Sequence, residues 1–108
     1  MPAQVRITVI RKAFYPDLAD QYLSEGNAVG PCPLLSEGQS FLYTGSAEMP
    51  QGFCPWAWID IYRACSTLSA GGFDNQWYAS GKTRVECCTD GIRPVTFLLE
   101  ATQTEVSS

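Results

Sequence analysis

Cys54, Trp56, Trp58 and Asp60 fall within the stretch GFCPWAWIDIY, residues 52–62. A thiol, a carboxylate and two indoles this close together suit a nucleophile or proton donor, a base and apolar walls. Pro55 is suited to a first helical turn, which makes Cys54 the cap residue. There the unpaired backbone N–H groups and the positive end of the helix dipole favour a negatively charged sulfur. The competing reading is a buried, inert thiol, since free cysteine is among the most buried residue types. On the helix that follows, Trp58, Ile61, Tyr62, Cys65 and Leu68 share one stripe, predicted to pack on the core. Trp56 and Asp60 lie four residues apart on the opposite side, where they form either a pocket wall with its carboxylate or a half-covered indole beside an exposed Asp60–Arg63 pair.

The second cluster is VECCTDGIRPVTF, residues 85–97. Asp90-Gly91 is a strong turn signal between two strand patterns. A two-residue loop would set Arg84 and Glu86 on the face of Val95 and Phe97, a mismatch that sheet register resists. A three-residue loop, Thr89-Asp90-Gly91, sets Cys87 opposite Arg93 and Val85 opposite Val95, and is the expected register. Arg93 then ends an apolar face and needs an acceptor. Asp60, Asp74, Asp90, a Cys87 thiolate or an anionic ligand could each serve, as could the plain alternative of a snorkelling Arg93 paired with Asp90 in the turn.

The chain holds five cysteines and no histidine. Cysteine-histidine and serine-histidine catalysis and imidazole metal sites are thereby excluded. The odd number, the irregular spacing and the adjacent Cys87-Cys88 argue against a disulfide framework. A thiolate zinc site from Cys32, Cys54, Cys87 and Cys88 stays open as an alternative, although no C-x2-C pair is present. No phosphate-binding glycine loop or dinucleotide fingerprint occurs, so no cofactor is implied. What remains is cofactor-free proton transfer, an isomerase, lyase or cyclase acting on a small organic acid or carbonyl compound. In that reading Asp60 or Asp90 is acid or base, Cys54 a nucleophile or proton donor, and Arg93 the anchor of an anionic or carbonyl group. Trp56, Trp77, Cys32, Cys87 and Cys88 line the site. The alternative is a non-catalytic module that binds a ligand or a partner.

These residues must be positioned by short elements separated by turns. Residues 4–12 alternate, with Val5, Ile7 and Val9 on one face, as in a half-buried strand. Pro16-Asp17 opens a short helix to about Leu23. In the loop that follows, Pro31 and Pro33 hold Cys32 extended. SFLYTG reads as a short strand, and the main helix runs from Pro55 to about Leu68, stopped by Gly71-Gly72. Two strands follow, at about 82–88 and 92–100. The expected fold is α+β: a small antiparallel sheet of four to five strands, with the main helix packed across it and one short helix beside it. The site is expected where the main helix begins, meeting the Cys32 loop and the turn at 89–91.

At 108 residues, 45% apolar and 17% charged, the chain suits one globular domain, read as residues 1–100 with 101–108 as a flexible tail. The formal charge of −4, with seven scattered basic residues, argues against nucleic acid. No apolar run is long enough to span a bilayer, and no secretory signal is read at the N-terminus, so the expected compartment is the cytoplasm. A small-molecule ligand is the expected partner, and assembly into a homo-oligomer is left open. Pro2, exposed as an amine if Met1 is removed, offers a weaker candidate base of the kind tautomerases use.

The segments GPCP, EGQSF, PQGFCPWAWIDIY and CCTDGIRPVTF, with the GG after the main helix, resemble in order and spacing a family of uncharacterised bacterial and fungal proteins of about this length. The resemblance runs from about Val5 to Glu100. It implies that Cys32, Cys54, Trp58, Asp60, Cys88, Asp90, Gly91 and Arg93 belong to the family pattern, and it supplies no activity.

Overall fold

Val5, Ile7 and Val9 are fully buried along strand β1 (Ala3–Lys12), and the residues between them are not, so the alternation in the sequence is a two-faced strand. The computed structural model describes residues 3–72 and 78–105, with the side chains of all but 103–105. A short helix, α1 (Pro16–Tyr22), opens on its proline, and a single 3-10 turn follows at Gly26–Val29. Strand β2 (Ser40–Tyr43) precedes the main helix, α2 (Pro55–Ser69), and strands β3 (Thr83–Cys87) and β4 (Val95–Glu105) end the chain. The strands form one antiparallel sheet in the order β2-β1-β4-β3. The protein is therefore a small α+β domain with a four-stranded sheet, as the sequence predicts.

One face of the sheet carries Val5, Ile7, Val9, Val95, Phe97 and Leu99, and α2 lays Ala57, Ile61, Ala64, Cys65 and Leu68 across it. Trp58 and Tyr62, expected within the stripe that packs on the core, flank it in an aromatic cluster with Tyr43 and Phe53. Two rings of that size cannot sit between helix and sheet where alanines allow close approach, so they fill its edge. The helix stops at Gly71 (φ +85°), whose N–H donates to the carbonyl of Leu68 while Gly72 N–H donates to that of Thr67. This paired closure needs a left-handed residue, which explains the glycine.

Three details depart from the sequence reading. Strand β4 continues past residue 100 to Glu105, where it pairs with Ala3. The register of β3 is neither of the two weighed, but its parity is that of the disfavoured one: Arg84 lies opposite Leu99, Val85 opposite Leu98 and Glu86 opposite Phe97. Arg84 and Glu86 thus share the core-facing side of the sheet, and they tolerate it because β3 is an edge strand where their side chains form an ion pair at 3.0 Å. Inward-facing charges also discourage pairing of the edge with another chain. The hairpin is not a three-residue turn. Cys88 N–H donates to the Val95 carbonyl, and residues 88–94 form a longer loop held to the segment between β1 and α1 by Ala13 N–H to Pro94 O and Tyr15 N–H to Ile92 O.

Candidate functional site

Phe53 sets the start of α2. Its ring is buried against Phe41, Phe97 and Trp58, the last with ring centroids 6.1 Å apart. A residue just before the cap packed on one in the second turn is a hydrophobic staple, and it fixes the direction from which the chain enters the helix. Cys54 is thereby held as the cap residue, its carbonyl accepting from Trp58 N–H at 2.9 Å. Its thiol does not cap the helix, so the expected sulfur contact with the first-turn N–H groups is absent. The side chain instead lines a cleft.

That cleft has a volume of about 450 Å³. Cys54, Trp56 and Ala57 supply one wall, Cys32, Leu34 and Leu35 a second, and Cys88, Asp90, Arg93 and Val95 the third. The buried Leu35 pins the Cys32 loop to the core, while Leu34 and Trp56, 67% and 71% exposed, stand at the rim. The start of α2, the Cys32 loop and the turn around Asp90 do converge. Leu34, Leu35, Ala57 and Val95 were not singled out from sequence, because short aliphatic residues in a loop or at an element end carry no signal beyond burial.

The loop at 88–94 is held by two carboxylates. Asp60 Oδ2 accepts from Thr89 N–H at 2.9 Å and from Thr89 Oγ1 at 3.3 Å, tying the loop to α2. Asp60 is not among the residues lining the cleft, and Thr89, which it holds, was not foreseen as a tether. Asp90 Oδ1 accepts from the N–H groups of Ile92 and Arg93, and Oδ2 accepts from Arg93 Nε at 3.0 Å. Burial acts to raise the Asp90 pKa, but these N–H donors and the guanidinium outweigh it and hold the carboxyl below its ordinary value. Of the acceptors weighed for Arg93, the structure selects Asp90, and Arg93 lies in the loop instead of opposite Cys87. Only Nε is used. Among the described residues nothing else bonds the guanidinium, which also borders a second cavity of about 510 Å³ lined by Leu23, Glu25, Val29 and Ile92.

The thiols divide by environment. Cys32, Cys54 and Cys88 are partly buried at the cleft, and Cys88 Sγ accepts from Val95 N–H at 3.3 Å. Cys87 lies on the outward side of β3 opposite Thr96, with its thiol donating to the Cys88 carbonyl, and it does not line the cleft as expected. Partial burial first, then the neighbouring Cys88, push its pKa up. Cys65 is fully buried on the inner face of α2, where burial and then Glu86 push its thiol up to about 12. Among the described residues no three cysteine or carboxylate side chains gather closely enough to hold a metal ion, so the thiolate set Cys32, Cys54, Cys87 and Cys88 is not assembled. No described helix is long and apolar enough to cross a membrane. Trp77, Asp74 and Pro2 lie outside the described residues.

No protein-family model, curated protein or solved structure matches the chain.

Proposed function

We propose that the protein is a cofactor-free acid/base enzyme, of isomerase or lyase type, acting on a small organic acid or carbonyl compound in the cleft described above. The observation that carries this reading is an arginine set in an otherwise apolar, thiol-lined cleft, with Nε fixed by Asp90 and the Nη groups left to a ligand. A guanidinium pre-oriented in this way suits bidentate binding of a carboxylate. Asp90 is then a positioning residue for Arg93, and Asp60 positions the loop through Thr89. The groups left for proton transfer along the cleft are the thiols of Cys32, Cys54 and Cys88. A non-catalytic binding module is the second reading, favoured by the engagement of both carboxylates in hydrogen bonds within the fold.

The test uses small aliphatic and aryl carboxylic acids, each beside its methyl ester, screened by thermal shift against the wild type and Arg93→Met. Acids are expected to stabilise the wild type, their esters and the Met variant showing a tenfold or weaker response, given about 1.5–3 kcal/mol for a charged hydrogen bond. Equal stabilisation by acids and esters would remove the reading. Acids that bind are then followed in D2O by proton NMR: deuterium entering the ligand supports proton transfer, and binding without exchange leaves the module.

A further inference from the structure

Among the described residues that line the cleft, Arg93 is the one cation and Asp90, its partner, the one anion. The other lining side chains are aliphatic, aromatic or thiol. No side-chain hydroxyl, amide or second cation is offered there, so a ligand that fits has a single anionic group and a hydrocarbon body. The anionic group cannot carry the binding alone. Asp90 already holds Nε and the Arg93 side chain is 34% exposed, so a carboxylate on the Nη groups gains a solvent-screened contact beside a like charge. Such a contact does not offset the freedom a ligand loses on binding, and the remainder has to come from burial of apolar surface.

The apolar surface available for this does not stop at the cleft. Leu34 and Trp56 stand exposed at its rim, and Ile59, 77% exposed and not part of the lining, follows Trp56 by three positions on α2. Residues at that spacing are neighbours on a helix surface. The three side chains form an apolar strip that continues the cleft outward, and exposed apolar surface joined to a cleft marks a place where something binds. A compact ring would fill the cleft and leave the strip bare. A chain anchored at Arg93 can fill the cleft and lie along the strip as well.

We propose that the cleft takes a straight-chain carboxylic acid, its carboxylate on Arg93 and its chain passing between Leu34 and Trp56 on to Ile59. The proposal rests on the organic-acid reading given above and names its substrate class. A cleft of about 450 Å³ lies toward the small end of ligand sites, which suits a chain of medium length. Sugars, hydroxy acids and amino acids are disfavoured, because their hydroxyl or ammonium groups would be buried without partners. Esters and thioesters of the same chain lose the charged contact with Arg93.

The test is calorimetric titration of the protein with n-alkanoates from butanoate to dodecanoate, below their micelle concentrations, beside 1-octanol and 2-naphthoate. Affinity is expected to rise about fourfold per added methylene, the equivalent of about 0.8 kcal/mol, and to level off once the chain passes Ile59. Octanoate should bind about tenfold more tightly than octanol, and Arg93→Met should remove that difference. Trp56→Ala and Ile59→Ser replace exposed side chains and should stay folded. Each should flatten the rise, weakening dodecanoate about tenfold and hexanoate less than about twofold. No dependence on chain length, a rise that both variants leave unchanged, or 2-naphthoate matching decanoate overturns the chain proposal and leaves the organic-acid site standing. Octanol matching octanoate in the wild type overturns the two together, as does the absence of binding by every acid.

Discussion

Replacing Asp90 with asparagine keeps the side-chain shape and removes the charge that holds Arg93. The amide oxygen can still accept from Ile92 and Arg93 N–H, now as neutral bonds, while its NH2 group faces a guanidinium that it cannot accept from. One charge-assisted bond lost and two weakened would amount to about 2 kcal/mol in a dry site. The Arg93 and Asp90 side chains are 34% and 31% exposed, so solvent screening brings the expected loss to about 1 kcal/mol. In a domain of this size that lowers Tm by about 5 °C. The assay is thermal unfolding of Asp90→Asn and wild type across pH. Because the folded-state pKa of Asp90 lies below the ordinary 3.8, the folded protein binds fewer protons there than the unfolded chain. Its stabilisation is therefore full above that value and is lost as pH falls through the lower, folded one. The Tm gap should be constant near neutrality and close in strong acid. A gap absent at neutral pH, or one that persists unchanged in strong acid, would refute the claim that the charge, and not the shape, holds the turn.

Asp60→Ala should free the loop at 88–94 at a cost of about 1–2 kcal/mol, since both Thr89 donors lose their acceptor; amide exchange at Thr89 should accelerate, and unchanged exchange would deny the tether. Cys65, with its thiol pushed up to about 12, should resist iodoacetamide in the folded protein and react only on unfolding. Because its pKa is raised on folding, its contribution to stability is full below the ordinary thiol value of 9.0 and falls as pH rises toward 12, a slope that Cys65→Ala should abolish in urea titrations. Phe97→Ala removes the ring packed on Phe53 from a fully buried position, and should cost about 3–5 kcal/mol in chemical denaturation, close to the whole stability of a marginal domain.

What the sequence determined by itself is what local pattern encodes. The period-two burial of Val5, Ile7 and Val9, the proline at the start of α2 and the glycine at its end each act through residues a few positions away, and each appears in the structure where the pattern places it. The meeting of Cys32, Cys54, Asp90 and Arg93 at one cleft was also legible, because proline-flanked and turn residues mark where a chain must come to the surface beside a helix terminus. Tertiary structure alone decided the rest. The parity of β3 turned on whether Arg84 and Glu86 could share the core-facing side, and an edge position with room for their ion pair settled it against the hydrophobic pattern. Likewise, Asp60 looked like a cleft carboxylate on the helical wheel, yet the seven-residue loop between β3 and β4 brought Thr89 onto it. Both outcomes depend on which residues distant in sequence arrive opposite one another, and a spacing rule confined to one element holds no information about that.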